Sequence, residues 1–407
     1  MDQGENIAER FQTGTTRTGA MDLLAAAIPH RNRIIATILP PRDIPGLEPS
    51  LRTLERRALV PNVFYSADFL VAASQHFRNG APTVIAAWER IPNSSAMRLV
   101  GLLPVARPGL GLPGAVQRGW AHPFLVLGNP LLDRDCAEAA WDAILTALAD
   151  LNPDVSGLLL KDVDLSGALG QILSSVAADR SAPIMPLSTA ARAMTSGAPM
   201  RSETGGRNGK ELRRQRRRLS ELGTLRFSVS ERADDLRRAA ETFLALEAAG
   251  WKGAAGSALI RNPDSANFTR ALLRSGARQD GNRIAELTLD GKTIASVIIL
   301  VSGSRGALWK IAYDESFAKF SPGALLIEDV TRWMRNAPQL MMLDSCATEG
   351  HGLIESLWDE RLVLTDLMIG LRRQETTGFA ACVARERLRR SLRQHMRSAW
   401  HWLRAKL

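Results

Sequence analysis

In this 407-residue chain the run Tyr313-Asp314-Glu315-Ser316-Phe317-Ala318-Lys319-Phe320-Ser321-Pro322-Gly323 carries the sharpest local chemistry. Ser321 offers the side-chain oxygen favoured at a helix N-cap, and Pro322 has the fixed φ of a first helical residue. Two independent preferences therefore place a helix start here. The amides of Gly323, Ala324 and Leu325 would have no intrahelical acceptor, and unpaired N–H groups at the positive end of a helix attract phosphate. Gly323 would let a ligand approach the backbone. Any well-capped helix shares these features, so a simple cap is the competing reading.

Other chemistries lack their context. Gly109-Leu-Gly111-Leu-Pro-Gly114 has the spacing of a dinucleotide fingerprint, but Pro113 and the following Gln-Arg-Gly-Trp do not open a helix, and the segment reads as a loop. There is no Gly-x-Ser-x-Gly elbow and no His-Glu-x-x-His, and the six histidines are scattered. Cys136, Cys346 and Cys382 give neither a disulfide framework nor paired zinc spacing. Each reads as a small core residue, no metal is expected, and the compartment is expected to be a reducing cytoplasm. No apolar run is long enough to span a bilayer, and no secretory leader opens the chain.

The elements that must position the helix start follow from patterning. The first fifty residues read as disordered or loop, with four prolines between Pro40 and Pro49. A first unit over 51–200 runs helix (61–77), strands (83–88 and 98–105), helix (134–148), strand (157–160), helix (169–178) and a last strand near Ile184. A second over 224–373 repeats the order, with helix 233–249, a hairpin around Asp290-Gly291, strand 307–313, helix 322–335 and strands 341–344 and 362–369. Asp-Gly suits a tight hairpin because both central residues take positive φ. The fold class read from this is α+β with two related units.

Charge is concentrated. Lys and Arg number 52 against 42 Asp and Glu, a net +10. The run 207–218 carries +6 and the run 385–407 carries +7, which leaves the remainder at −3. The units themselves are near neutral, and the basic runs lack interleaved Phe or Tyr, so a nucleic-acid face is not expected. The segment 201–223 reads as an arginine-coated linker helix. In the tail 374–407, Leu388, Leu392, Met396, Ala399 and Leu403 recur at helical spacing opposite Arg389, Arg390, Arg393 and Arg397, a basic amphipathic helix with Trp400 and Trp402 near its end. It suits either an anionic membrane surface or, as the preferred expectation, a closing helix packed on the last unit with a solvated basic face.

Together, Glu247-Ala-Ala-Gly250-Trp251-Lys252-Gly253, Ser257-Ala258-Leu259, Trp309-Lys310-Ile311-Ala312-Tyr313-Asp314, Phe320-Ser321-Pro322-Gly323, Leu343-Asp344-Ser345 and Leu357-Trp358 resemble the CelD-like acetyltransferase family of the GNAT superfamily. Its structural kin are the FemAB-type transferases with two tandem GNAT-like domains. The resemblance covers residues 50 to 373 and is most specific over 247–259 and 309–358. It implies a degenerate GNAT-like domain followed by a catalytic one, with mixed, mostly antiparallel sheets flanked by helices. It also implies acyl transfer from acetyl-CoA or another acyl-CoA, whose pyrophosphate would lie on Ser321, Gly323, Ala324 and Leu325. The superfamily's usual loop, Gln/Arg-x-x-Gly-x-Gly/Ala, keeps only its middle glycine here, and FemAB-type relatives draw on aminoacyl-tRNA instead.

Such transferases hold a thioester beside an amine or hydroxyl, so positioning supplies much of the rate. Under that reading Tyr313 is the candidate acid and Asp344 the candidate base, with Trp251, Lys252, Lys310, Asp314 and His351 near the substrates. Glu247 reads equally well as helix surface. The expected function is an N- or O-acyltransferase with a small-molecule or saccharide acceptor, in exopolysaccharide, cellulose or cell-envelope biosynthesis. It would be cytoplasmic or peripheral on the inner face of the membrane. The alternatives are aminoacyl-tRNA-dependent transfer to a peptide, in which tRNA would be a partner, and a non-catalytic membrane-surface scaffold.

Overall fold

A computed structural model describes residues 34–106, 115–203, 207–277, 281–337 and 339–404. The first unit is β1 (Ile34–Leu39), α1 (Glu48–Arg57), α2 (Ala67–His76), β2 (Thr83–Arg90), β3 (Met97–Val105), β4 (Ala115–Arg118), β5 (Leu131–Leu132), α3 (Ala137–Leu151), β6 (Val155–Asp164), α4 (Ala168–Asp179) and β7 (Ile184–Thr195). After α5 (Arg207–Ser220) come β8 (Leu225–Ser230), α6 (Ala233–Ala249), the single turn α7 (Trp251–Ala254), α8 (Pro263–Ser275), β9 (Arg283–Leu289), β10 (Lys292–Ser302) and β11 (Arg305–Tyr313). The chain closes with α9 (Pro322–Arg335), β12 (Met342–Asp344), α10 (Gly352–Glu355), β13 (Glu360–Gly370) and α11 (Thr377–Arg404). Apart from β5 and the short α7, both units follow the order strand, two helices, three strands, helix, strand, helix, strand.

Local chemistry explains most boundaries. Asp290 and Gly291 take φ of 46° and 82°, the left-handed pair that a two-residue hairpin requires. Asn62 and Ser66 cap the turns that open α2, each accepting a backbone N–H. Part of the segment expected as disordered or loop is structured: β1 pairs antiparallel with β2, and Ile44 and Leu47 are fully buried, while residues 1–33 lie outside the described ones. The proline spacing of 40–49 makes two 3-10 turns rather than an open loop.

The units are not separate bodies. One sheet has the order β1-β2-β3-β5 and the other β4-β6-β13-β7-β12-β11-β10-β9-β8. Strand β13 of the second unit lies between β6 and β7 of the first, while β7 lies between β13 and β12. The two units thus exchange their last strands. A continuous core joins them, in which Phe69 of α2 meets Phe268 of α8 edge to face at 5.1 Å.

Helix α5 is docked rather than merely solvated. Leu212 and Leu219 are buried, and Arg216 bridges to Asp329 at 2.8 Å, to Glu328 and to the Leu325 carbonyl at 3.2 Å. Helix α11 packs on the strands where the units are exchanged rather than on the last unit alone, through Phe379, Cys382 and Val383 against Leu159 of β6 in the first unit and Met368 of β13 in the second. Glu386, fully buried, accepts hydrogen bonds from Arg118 of β4 at 2.7 Å and from Arg389 and Arg390. Burial pushes its carboxyl up, but the bonds from Arg389, Arg118 and Arg390 outweigh this and hold it at about 2, against an ordinary 4.5. A depressed native pKa gives stabilisation that is complete above 4.5 and lost as pH falls toward 2. Hydrogen exchange should show α11 losing protection over that window. Glu386→Gln should flatten the dependence, and an unchanged profile in that variant would remove Glu386 as its cause.

Candidate functional site

The site forms where β11 leaves its neighbour. β11 pairs in parallel with β12 only over Arg305–Ala307 against Met342–Asp344, so among the described residues its far end, toward Tyr313, has no strand on that side. On the other side, the register with β10 shifts between Ile298 and Ile299 and leaves Trp309 as an extra residue. This bulge turns Trp309 and Lys310 toward the same face. The Trp309 indole donates to the Phe124 carbonyl at 3.0 Å, and the Lys310 ammonium sits 4.9 Å from the Phe124 ring centre and 5.6 Å from that of Trp309.

A cleft of about 380 Å³ opens along the free edge of β11. Ile311, Ala312 and Tyr313 form its floor, Gly323 of α9 with His351, Leu353 and Ile354 one wall, and Leu246, Glu247, Gly250, Trp251 and Lys252 the other. The structure therefore brings Tyr313, Gly323, Trp251, Lys252 and His351 together from four separate stretches of chain. The remaining expected residues are not among the lining ones.

The second wall is held by a half-buried ion pair. Lys252 donates to Glu247 at 2.8 Å and to the Ile311 carbonyl on the strand edge at 3.2 Å, while Glu247 also accepts the Leu259 amide at 2.8 Å. The Trp251 amide donates to Glu315 at 2.5 Å, which ties this turn to the end of β11. Glu247, read equally well as helix surface, is 4% exposed. The signal was present in the phasing: Ala240, Phe243, Leu244 and Glu247 recur at i, i+3, i+4 and i+7, the buried stripe of α6.

Several expectations at the helix start change. α9 begins at Pro322 as the patterning predicts, but Ser321 is left-handed, with φ 50°, and its hydroxyl makes no cap bond. Its carbonyl instead accepts the amides of Ala324 at 2.9 Å and Leu325 at 3.1 Å, so two of the three expected donors are used within the helix. Gly323 is the one of the three that reaches the cleft. A Cβ there would meet Ile311, Leu353 and Tyr313 at 3.6–3.8 Å, ordinary contact distances, so alanine fits and a larger branched residue would enter the cleft.

Asp344 does not serve as a base in this geometry. It is 6% exposed, ion-paired to Arg192 of β7, and accepts the Cys346 amide at 2.9 Å. Its carboxylate is turned to Arg192 in the interior and does not line the cleft. Asp314 is likewise structural: it caps the turn that follows, accepting the Ser316 amide at 3.0 Å and hydroxyl at 2.6 Å, and pairs with Lys292 at 2.7 Å. These bonds hold its carboxyl below the usual range. Lys310 lies under the aromatic rings rather than in the cleft. Burial, and then the Lys252 charge, hold it below the ordinary lysine value, and burial with the Lys310 charge pushes His122 down to about 4.

The segment that leads into α3, the helix of the same order in the first unit, is held by an ion-pair cluster. Asp133, before α3, is fully buried and paired with Arg57 at 2.7 Å, and Arg57 also binds Asp135 at 2.6 Å.

With this geometry in view, known proteins supply a class for the fold. An acetyltransferase (GNAT) domain model matches residues 206–349. A Bacteroides thetaiotaomicron protein of unknown function has a similar structure, with a TM-score of 0.50 at 13% identity, over 83% of this chain and all of the other. FemX gives a TM-score of 0.49 at 11% identity, over 82% of this chain and 96% of FemX. A tandem GNAT protein from the clavulanic acid biosynthesis pathway gives 0.37 at 14%, over 84% and 100%. No curated protein is significantly similar in sequence. The fold is α+β with its sheets flanked by helices, and the half that the GNAT model matches is preceded by a half with the same order of elements. Among the described residues no group of side chains could hold a metal ion, and no helix is long and apolar enough to cross a membrane.

Proposed function

We propose that the protein is an acyltransferase that moves an acyl group from an acyl-CoA to an amine or hydroxyl, with the second half as the catalytic one. The observation that carries this reading is the cleft between the free edge of β11 and the start of α9, with Tyr313 and Gly323 on one side and the Glu247–Lys252 pair on the other. In this reading the Gly323 amide and the Lys252 ammonium receive the donor's phosphate end, and the β11 edge aligns the acyl arm. The acceptor attacks the thioester carbonyl and the carbon–sulfur bond breaks. Tyr313 gives its proton to the departing sulfur, and the acceptor's proton leaves through water to His351. A saccharide or cell-envelope acceptor on the inner side of the membrane follows from the resemblance to CelD-like proteins.

One observation favours a second donor. The helix start offers Gly323 alone of three expected amides, and Lys252 already occupies the Ile311 carbonyl, a sparse cradle for a pyrophosphate. An aminoacyl-tRNA donor would not depend on that cradle.

Thermal melts with CoA and acyl-CoAs decide between them. At a hundred times its dissociation constant a ligand adds about 2.7 kcal/mol. Gly323→Val should abolish the shift by filling the cleft, while Gly323→Ala should keep it. A wild-type protein indifferent to every CoA, but retarded with charged tRNA in a gel, would replace the first donor with the second. An undiminished shift in Gly323→Val would remove the ligand from this cleft.

A further inference from the structure

The apolar residues of α11 divide into two sets on opposite sides of the helix. Phe379, Cys382, Val383 and Glu386 are at most 6% exposed and form the face seated on β4 and β6. Leu388, Leu392 and Met396 are 61%, 55% and 64% exposed. At about 100° per residue, these three residues, two steps of four apart, fall on one stripe, turned away from the docked face. The stripe expected to close the helix against the protein is therefore the stripe that the protein leaves uncovered.

Charge limits what can cover it. Between Arg385 and Met396 there are five arginines and one acid, Glu386. That acid is buried and already shared among Arg118, Arg389 and Arg390. Arg387 and Arg393 are exposed on the same turns of the helix as the stripe. A second copy of this chain would bring the same arginines face to face. A surface that is both apolar in depth and anionic at its boundary satisfies both features at once.

We propose that the α11 stripe Leu388–Leu392–Met396 seats the protein on the surface of an anionic phospholipid bilayer, with the helix lying in the interface and its arginines on the headgroups. This is independent of the transferase reading, since it uses no residue of the cleft. The first three turns of α11, locked through Glu386, set the direction in which the stripe faces.

The test is co-sedimentation of the full chain with vesicles of pure phosphatidylglycerol or pure phosphatidylcholine. Wild type should pellet with the first and not the second, and added salt should weaken the binding. Leu388→Gln/Leu392→Gln/Met396→Gln should partition at least about tenfold more weakly with an unchanged melting temperature, because the residues lie outside the core. Absence of binding to phosphatidylglycerol, or equal binding by the triple variant, overturns the proposal. So does a lipid-free dimer, seen by light scattering, that the triple variant dissociates, since the stripe would then belong to a second copy.

Discussion

Cut after Glu203 and expressed without the remainder, the first half is expected to give no cooperative unfolding transition. The reason is the exchanged strand. β13 pairs with β7 along Glu360–Ile369 and with β6 along Leu364–Gly370, so its removal strips β7 of its long neighbour and parts it from β6. Each lost backbone hydrogen bond is worth about 0.5–1.5 kcal/mol, and the strands lose many at once. The marginal stability of a domain, about 5–15 kcal/mol, does not survive that loss together with exposure of the core beneath Leu362, Leu364 and Leu367. Co-expression of the second fragment should restore a single transition. If the first half melts cooperatively alone, near the temperature of the whole protein, the halves are independent domains and the exchange is incidental.

Arg192→Met is expected to cost about 3–5 kcal/mol, because it leaves the Asp344 carboxylate buried without its cation. Both side chains are only 8% exposed, and Arg192 also donates to the Val126 carbonyl at 2.8 Å, joining β7, β12 and the loop before β5. Urea unfolding would show a lower midpoint with an unchanged slope. Arg192→Met/Asp344→Leu should recover most of the loss, since no charge then remains in the interior. The double variant also separates structure from chemistry. Asp344 lies outside the cleft lining, so stabilisation by an acyl-CoA should persist in it. Loss of that response in a well-folded double variant would return Asp344 to the site.

The candidate site was legible where its chemistry is local. Tyr313, Pro322 and Gly323 lie within eleven residues, and the helix start follows from the short-range preferences of proline and the preceding turn. Glu247 was readable from its place in the α6 stripe but is polar, and polarity argues for the surface until a partner such as Lys252 is seen. Ser321 shows the limit of the same reasoning. A serine is favoured at a cap, yet here the chain arrives from a 3-10 turn with φ 50°, and the hydroxyl makes no cap bond. Asp344 lies 152 residues from Arg192, a separation over which no spacing rule operates.

Element type and boundary are short-range properties, set by φ preferences, caps and the repeat of apolar residues, and these can be read along one strand of text. That is why Asp290-Gly291, the limits of α6 and α9 and the repeated order of the two halves were all legible in the chain. Which strand lies beside which is a different kind of quantity, because a β edge pairs with any complementary edge that folding brings to it. The exchange of β7 and β13, the commitment of Asp344 to Arg192 and the side of α11 that meets the protein all arise from such long-range choices. They were settled when the two sheets closed around a common core.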